Sequence, residues 1–377
     1  MNKDSIRYLV LGDIHLGHPR NKTENIIDAL YAFFANLDTD LKLDIVFLAG
    51  DLFDSLLDYD SPDSNLATIW AASLMKYCGQ RQIKLRILKG TPSHDWNQSE
   101  IFNTLAAAAK FSVDMKYVNS LSIEHIDDLG ISVLYVPDEW RSDPNVTYDE
   151  VKALLAHDNL DKVDIAIMHG NFGYQLPVQA IKAPRHDEEK YLSIVKYFIS
   201  IGHIHTSSVY SRILAEGSFD RLAHGEEEPK GAMLCVIHND GHGEYFFIEN
   251  KKAKIFKTIN IKFNDVDAAI QQIERHTAKL PSDSYVRIRA KKDHPLMIGI
   301  DEVKKRFPLF HITKITIEEE DANQFTLIDD IKDTPDYIPI TITKDNIMAL
   351  LMEEIKSKYE FSTRQLLIAE RNLEEVM

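Results

Sequence analysis

A chain of 377 residues that is 44% apolar and 27% charged has the make-up of a globular protein, long enough for one large domain and one or two smaller ones. Its formal net charge of −16 argues against a surface that grips nucleic acid over its whole extent, because phosphates are held chiefly by Lys and Arg. Two cysteines, Cys78 and Cys235, make neither a disulfide framework nor a zinc pattern and suit a reducing compartment.

In chain order, the opening MNKDSIRYLVLGD carries Lys3, Asp4 and Arg7 around a short apolar run. It reads as no signal peptide, and no apolar stretch approaches the ~18 residues that cross a bilayer, so no membrane partner and a cytoplasmic location are expected. Short apolar runs bounded by Gly, Asp or Pro predict buried strands over 8–11, 45–49, 85–88, 133–136, 165–168, 198–201, 233–237 and 245–248. Asn21 with Glu24, and Thr147 with Glu150, predict capping boxes at the starts of two intervening helices. The sum is an α/β domain with helix-covered sheets over residues 1–250.

From about residue 254 the rhythm changes. A strand (259–263), a helix (266–273), a strand (285–290), a short helix (301–306) and a strand (312–317) predict a small α+β domain over 255–320. An acidic linker follows over 321–341, then an amphipathic helical segment over 342–377 with Ile347, Leu350, Leu351 and Ile355 on one face.

Five short blocks stand where predicted strands end, the place where catalytic groups collect in α/β sheets. Gly12-Asp13-Ile14-His15 comes first. Alternation in an extended chain predicts that Asp13 and His15 point to one side. Gly50-Asp51-Leu52-Phe53-Asp54 places a carboxylate after a buried strand, where it can bridge two cations ~3.5–4 Å apart or merely cap a turn. Gly90-Thr91-Pro92-Ser93-His94-Asp95 sets an imidazole beside a carboxylate able to fix its tautomer. His169-Gly170 and Gly202-His203-Ile204-His205 complete the set, the last with two histidines expected to point the same way from extended backbone. Each block alone has a bland structural reading; their order along one chain does not. Asp13, His15, Asp51, His169, His203 and His205 offer mixed nitrogen and oxygen ligation, which suits Mn2+ better than Ca2+.

This order of blocks resembles the calcineurin-like metallophosphoesterases, whose fold is a β-sandwich flanked by helices. Within that superfamily, the run AEGSFDRLAHGEEEPKG at 215–231, and Val136-Pro137 followed by Trp140, are similar to the SbcD family of DNA double-strand-break repair nucleases. The resemblance implies that residues 255–320 cap the DNA-facing side and that 342–377 tether an SbcC-type ATPase, in a bacterial or phage-infected cell; homodimerisation stays open. It implies that Asp13, His15, Asp51 and His205 hold one ion, that Asp51, His169 and His203 hold the other, and that His94 is the catalytic histidine. Mn2+ is the expected metal, with Mg2+ the alternative.

Asp54 would help position the DNA end, and Asp95 would support His94. Where the family has asparagine as a neutral ligand of the second ion, this chain has Ser93, expected to ligate through its hydroxyl or a water, or else to leave the second site weaker. The implied activity is metal-dependent hydrolysis of DNA ends from 3′ to 5′ and of single strands internally, with Lys89, Arg185, Arg212, Arg221 and Lys230 as candidate groove cations. The alternatives are a small-molecule or cyclic-nucleotide phosphodiesterase and a catalytically weak regulatory subunit.

Overall fold

The apolar runs do form strands, and most lie in parallel ladders covered on both faces, so they are apolar at every position and do not alternate. The computed structural model describes residues 5–37, 41–109, 112–177, 180 and 183–317. All fall within the compact unit Met1–Ala322; a second unit, Asn323–Met377, lies outside the described residues. So do the acidic linker and the expected helical segment 342–377.

The chain first builds β1 (Ser5–Leu11), α1 (Thr23–Asn36), β2 (Ile45–Ala49), α2 (Pro62–Arg81), β3 (Lys84–Leu88), the short α3 (Pro92–Asp95), α4 (Ile101–Ala109) and β4 (Met115–Val118). It continues with β5 (Ser122–Ile126), β6 (Ile131–Val136), α5 (Pro144–His157), β7 (Ile165–His169), α6 (Glu188–Ile194) and β8 (Ile199–Gly202). Then come β9 (Ser208–Tyr210), β10 (Ile213–Ala215), β11 (Gly231–His238) and β12 (Gly243–Glu249). These strands make two six-stranded sheets, ordered β12-β11-β1-β2-β3-β4 and β5-β6-β7-β8-β10-β9.

The sheets pack face to face, Tyr8, Val10, Phe47 and Ala49 of the first meeting Val133, Tyr135, Ile165 and Ile167 of the second. Phe33, Trp70 and Phe102 of α1, α2 and α4 cover the first sheet's outer face. Val151, Leu155 and Tyr191 of α5 and α6 cover the other. The result is the expected β-sandwich flanked by helices. Among the described residues, no helix is long and apolar enough to cross a membrane.

Two expected capping boxes are not formed. α1 starts one residue later than Asn21 implies, with Lys22 at the cap position; Asn21 is buried and its side-chain amide donates to Arg221 O at 3.0 Å. α5 starts before Thr147, with Asp143 as its cap and Pro144 in the first turn, so Thr147 is an interior helical residue. In α5 the Asp143 side chain meets the free N–H of Asn145 first, whereas α1 starts after Lys22 with no side-chain cap, so a box motif alone does not fix a helix start.

The third sheet holds β13 (Phe256–Asn260), α7 (Val266–Thr277), β14 (Tyr285–Lys291), α8 (Pro295–Ile298), α9 (Ile300–Arg306) and β15 (His311–Ile317), with its own core around Ile273, Val286, Ile288 and Val303. Its three strands pair in parallel, because each helical crossover returns the chain to the same end of the sheet. The sequence order had left the pairing direction open.

Candidate metal centre

β1, β2 and β3 are adjacent and parallel in one sheet, and β7 and β8 in the other. All five therefore end at one edge of the sandwich, and the five blocks meet there. The backbone after β1 zips onto the backbone after β2: Ile14 N and His15 N both donate to Asp51 O, at 2.9 and 3.0 Å. This requires unusual backbone. Asp13, His15 and Asp51 have φ of +49°, +55° and +49°, a left-handed conformation that costs a non-glycine residue roughly 1–3 kcal/mol and persists where surrounding structure enforces it. Asp13 and His15 thus share a direction through these turns, not through the strand alternation expected from sequence. Gly90 shows why small residues recur here: a Cβ at that position would lie 2.1 Å from Asp51 N.

The ligand candidates form three groups: Asp13, His15 and His205; His15, Asp51 and His94; and Asp51, His169 and His203. Asp51 belongs to two of them, as expected of a bridging carboxylate. His203 and His205 do not point together from an extended strand. The chain bends after Gly202, with His203 at φ +110°, and delivers one histidine to each end of the centre.

Tautomers show what these groups are built to hold. His205 Nδ1 lies 3.1 Å from Glu226 Oε1; His15 Nδ1 lies 3.2 Å from Asp54 Oδ1, off the line of a hydrogen bond. A carboxylate facing Nδ1 favours the proton there, which leaves Nε2 as a lone pair. The two Nε2 atoms face each other at 3.1 Å, close enough to share one proton or to ligate one metal ion. His169 repeats the pattern. Its Nδ1 donates to Ala49 O at 2.6 Å, and its Nε2 is fully buried, without a hydrogen-bond partner, 3.2 Å from Asp51 Oδ2.

Complete burial by itself would depress His169, but Asp51, Asp13 and Asp138 hold it well above the ordinary histidine range. Burial likewise opposes ionisation of Asp51, and His169, His94 and His15 outweigh it and hold Asp51 well below the usual carboxylate range. Both directions mark a place that favours positive charge. The donor set therefore fits two divalent cations.

A model of the Calcineurin-like phosphoesterase family matches residues 6–207, more than half of the chain. This chain belongs to that family. By class the phosphoesterase is a metal-dependent enzyme of the phosphoester bond. Among solved structures it is similar to TT1561 of Thermus thermophilus, at 10% identity and a TM-score of 0.38, over 64% of this chain and 98% of that one. A further solved chain matches at 11% identity and a TM-score of 0.37, over 65% of this chain and 100% of its own. No curated protein matches the phosphoesterase.

Several expected roles change in the folded phosphoesterase. Ser93 is exposed and is not brought into the centre; its turn lies on α3, which points that side chain to solvent. Thr91 stands there instead, its N–H donating to Asp51 Oδ1 at 2.6 Å. Asp95 does not set the His94 tautomer. It accepts from Phe53 N at 3.0 Å and Gly90 N at 2.7 Å, tying two of the turns together, and burial followed by the nearby Asp51 charge pushes it up to about 6.

His94 instead places Nδ1 2.9 Å from Asp51 Oδ2, with 37% of its side chain accessible; that contact, against the opposing effect of burial, holds it above its ordinary value. Asp54 contacts His15, and this contact outweighs burial to leave its carboxyl below the usual range.

The expected groove cations are mostly spent. Arg212 donates to the carbonyls of Leu192, Val195 and Lys196. Arg221 donates to Glu228 O at 2.9 Å, and Arg185 to Ala180 O at 2.8 Å. Lys230 is 1% exposed and donates to His205 O and Glu228. Lys89 is half-buried and reaches Asn97. Burial of so many carbonyls around the loops recruits these side chains inward.

Sequence reasoning missed Glu226, Thr91 and Asp138. Glu226 has its second oxygen 3.1 Å from Leu222 N and 3.3 Å from Lys230 Nζ; burial opposes its charge, but His205 and Lys230 bring it down to about 2. Asp138 stands two residues beyond the buried strand β6, the same signal that pointed to Asp51.

Proposed function

We propose that the phosphoesterase is a two-metal DNA nuclease of the SbcD type, acting on DNA ends from 3′ to 5′ and on single strands internally. The observation that carries the two-metal part is that Asp51 groups with His15 on one side and with His169 and His203 on the other, while Asp13, His15 and His205 form a further group. Asp13, His15, Asp51 and His205 would hold one ion, and Asp51, His169 and His203 the other. Bound divalent cations would lower the pKa of an attacking water and neutralise phosphate charge.

With 37% of its side chain open, against 29% for His203 and 32% for His205, His94 is partly accessible. Its Nδ1 meets Asp51, so its other ring nitrogen is the one left to give a proton to the departing oxygen. The DNA substrate is supported by the run at 215–231 and by where that run lies. Ser218 N donates to His205 O at 3.0 Å and Phe219 N to Asp13 O at 3.3 Å, so the segment lines the centre. The mixed nitrogen and oxygen donors favour Mn2+ over Ca2+, with Mg2+ the alternative.

The inward-turned Arg212, Arg221 and Lys230 favour one second reading, a small-molecule phosphodiesterase that needs no basic groove. Hydrolysis of duplex and single-stranded DNA should be compared with that of a cyclic nucleotide and bis(p-nitrophenyl) phosphate, all with Mn2+. Release of nucleotides from DNA is expected; activity confined to the small esters would reject the nuclease reading. An SbcC-type ATPase, docked through residues 342–377, would supply the DNA-gripping surface that an acidic chain lacks. Deleting 342–377 should abolish co-purification of that ATPase, and its persistence would reject the tethering role.

A further inference from the structure

We infer that Asp138 is a ligand of the second divalent cation, together with Asp51, His169 and His203. This rests on the ligand reading of those three residues.

The starting point is a single hydroxyl with too many acceptors around it. Thr91 Oγ1 lies 3.2 Å from Asp51 Oδ2, 3.0 Å from Asp138 Oδ2 and 3.3 Å from His203 Nδ1. A hydroxyl has one proton to give; Asp51 already has Thr91 N and His94 Nδ1 at 2.6 and 2.9 Å, so the proton is free for Asp138, and the two carboxylates still converge on one atom. Asp51 is 1% exposed and the Asp138 side chain 12%. Two carboxylates converging on one atom in so little water repel unless a cation lies with them. The neighbouring His169 Nε2, buried and 3.2 Å from Asp51 Oδ2, faces the same place.

The fold fixes Asp138 there. β6 and β7 are parallel, with Val136 opposite Met168, so the residues just past β6 lie beside His169 and Gly170. A Cβ on Gly170 would come within 3.1 Å of Asp138 Oδ1. That oxygen accepts from Glu139 N at 2.9 Å, which turns Oδ2 towards the centre. Spacing agrees with ligation beside His203. Donors on neighbouring positions of an ion with bonds of about 2.1 Å lie roughly 3.0–3.5 Å apart. His203 Nδ1 and Asp138 Oδ2 are 3.5 Å apart, and His169 Nε2 and Asp51 Oδ2 are 3.2 Å apart. A second carboxylate also gives this ion a harder, more negative environment, which suits Mn2+ or Mg2+ over softer metals.

The test is Mn2+ titration of the full chain by calorimetry, with electron paramagnetic resonance to count bound ions. The wild-type chain should bind two ions. Asp138→Ala should keep one at unchanged affinity and weaken the other by at least tenfold, whereas Asp138→Asn, which retains a ligand oxygen, should keep both. Without metal, Asp138→Ala loses its contacts to Glu139 N and Thr91 Oγ1 but should still melt in one cooperative transition; this separates lost ligation from lost folding. Two ions at wild-type affinity in Asp138→Ala would overturn the assignment. A wild-type chain that binds no Mn2+ would overturn the underlying ligand reading instead.

Discussion

Replacing Glu226 by Ala removes the carboxylate 3.1 Å from His205 Nδ1 while touching no candidate ligand. The loss has two parts that can be measured separately. Without Glu226 the imidazole can rotate and can place its proton on Nε2, facing His15 Nε2, where an ion belongs. Partners of metal-ligating histidines typically contribute 10–100-fold in affinity, about 1.4–2.8 kcal/mol.

Glu226 should lie in the upper half of that range. Its other oxygen is pinned by Leu222 N and Lys230, so the carboxylate is held in place before any ion arrives. Glu226→Gln should be no milder. Leu222 N–H and the Lys230 ammonium are both donors, so they draw the amide oxygen and turn its NH2 towards His205, which enforces the wrong tautomer.

The second part is stability. Lys230 is buried, but it keeps Glu228 at 2.6 Å and His205 O at 2.8 Å, so Glu226→Ala should cost about 1–3 kcal/mol, less than an orphaned buried charge would. Calorimetric titration with Mn2+ and melting in its absence read the two parts. A Kd for the ion at Asp13, His15 and His205 within twofold of wild type would refute the reasoning.

His94→Ala should abolish Mn2+-dependent hydrolysis with metal uptake retained, whereas His203→Ala should lose an ion, visible by elemental analysis. Gly90→Ala should destabilise by about 3 kcal/mol or more, read by denaturant melts, because its Cβ would lie 2.1 Å from Asp51 N and a backbone atom cannot step aside.

Glu216 is fully buried, neither carboxyl oxygen bonds another residue, and burial followed by Asp13 raises it to about 8. A carboxyl raised on folding holds its proton longer in the folded chain, so stability should fall as pH rises from about 4.5 to about 8 and level off above. Glu216→Gln should remove that slope and stabilise the metal-free chain at pH 8 by at most roughly 3–5 kcal/mol, with little change at pH 4.5. Parallel pH profiles for the two proteins would reject it.

The elements of the sandwich were legible because a buried parallel strand has to be an apolar run, and 45–49 and 165–168 offer nothing else. The helix starts were less legible. Asn21 and Thr147 carry good capping chemistry, yet their backbone and side chains found other partners once the chain had folded. At the centre, Asp13, His15, Asp51, His94, His169, His203 and His205 could be named because each follows a strand end. Ser93 was the wrong member of its turn, since a one-turn helix sends position 93 outward and leaves Thr91 at the centre. The cations near the blocks were misread for a similar reason. Proximity in sequence says nothing about whether Arg212 faces a groove or the carbonyls beneath it.

Sequence by itself determined which chemistry this protein can do: imidazoles and carboxylates at strand ends, in an order that marks a metal-dependent phosphoesterase. Only the tertiary structure decided how those groups are shared out. His203 and His205, two residues apart, go to different ends of the centre because the chain bends after β8. Asp138 and Glu226 join the site from β6 and from the segment after β10, brought in by strand pairing and by loop contacts that no local pattern encodes. Ligand type is a property of residues, whereas imidazole nitrogens facing each other at 3.1 Å are a property of two sheets whose strands end at one edge.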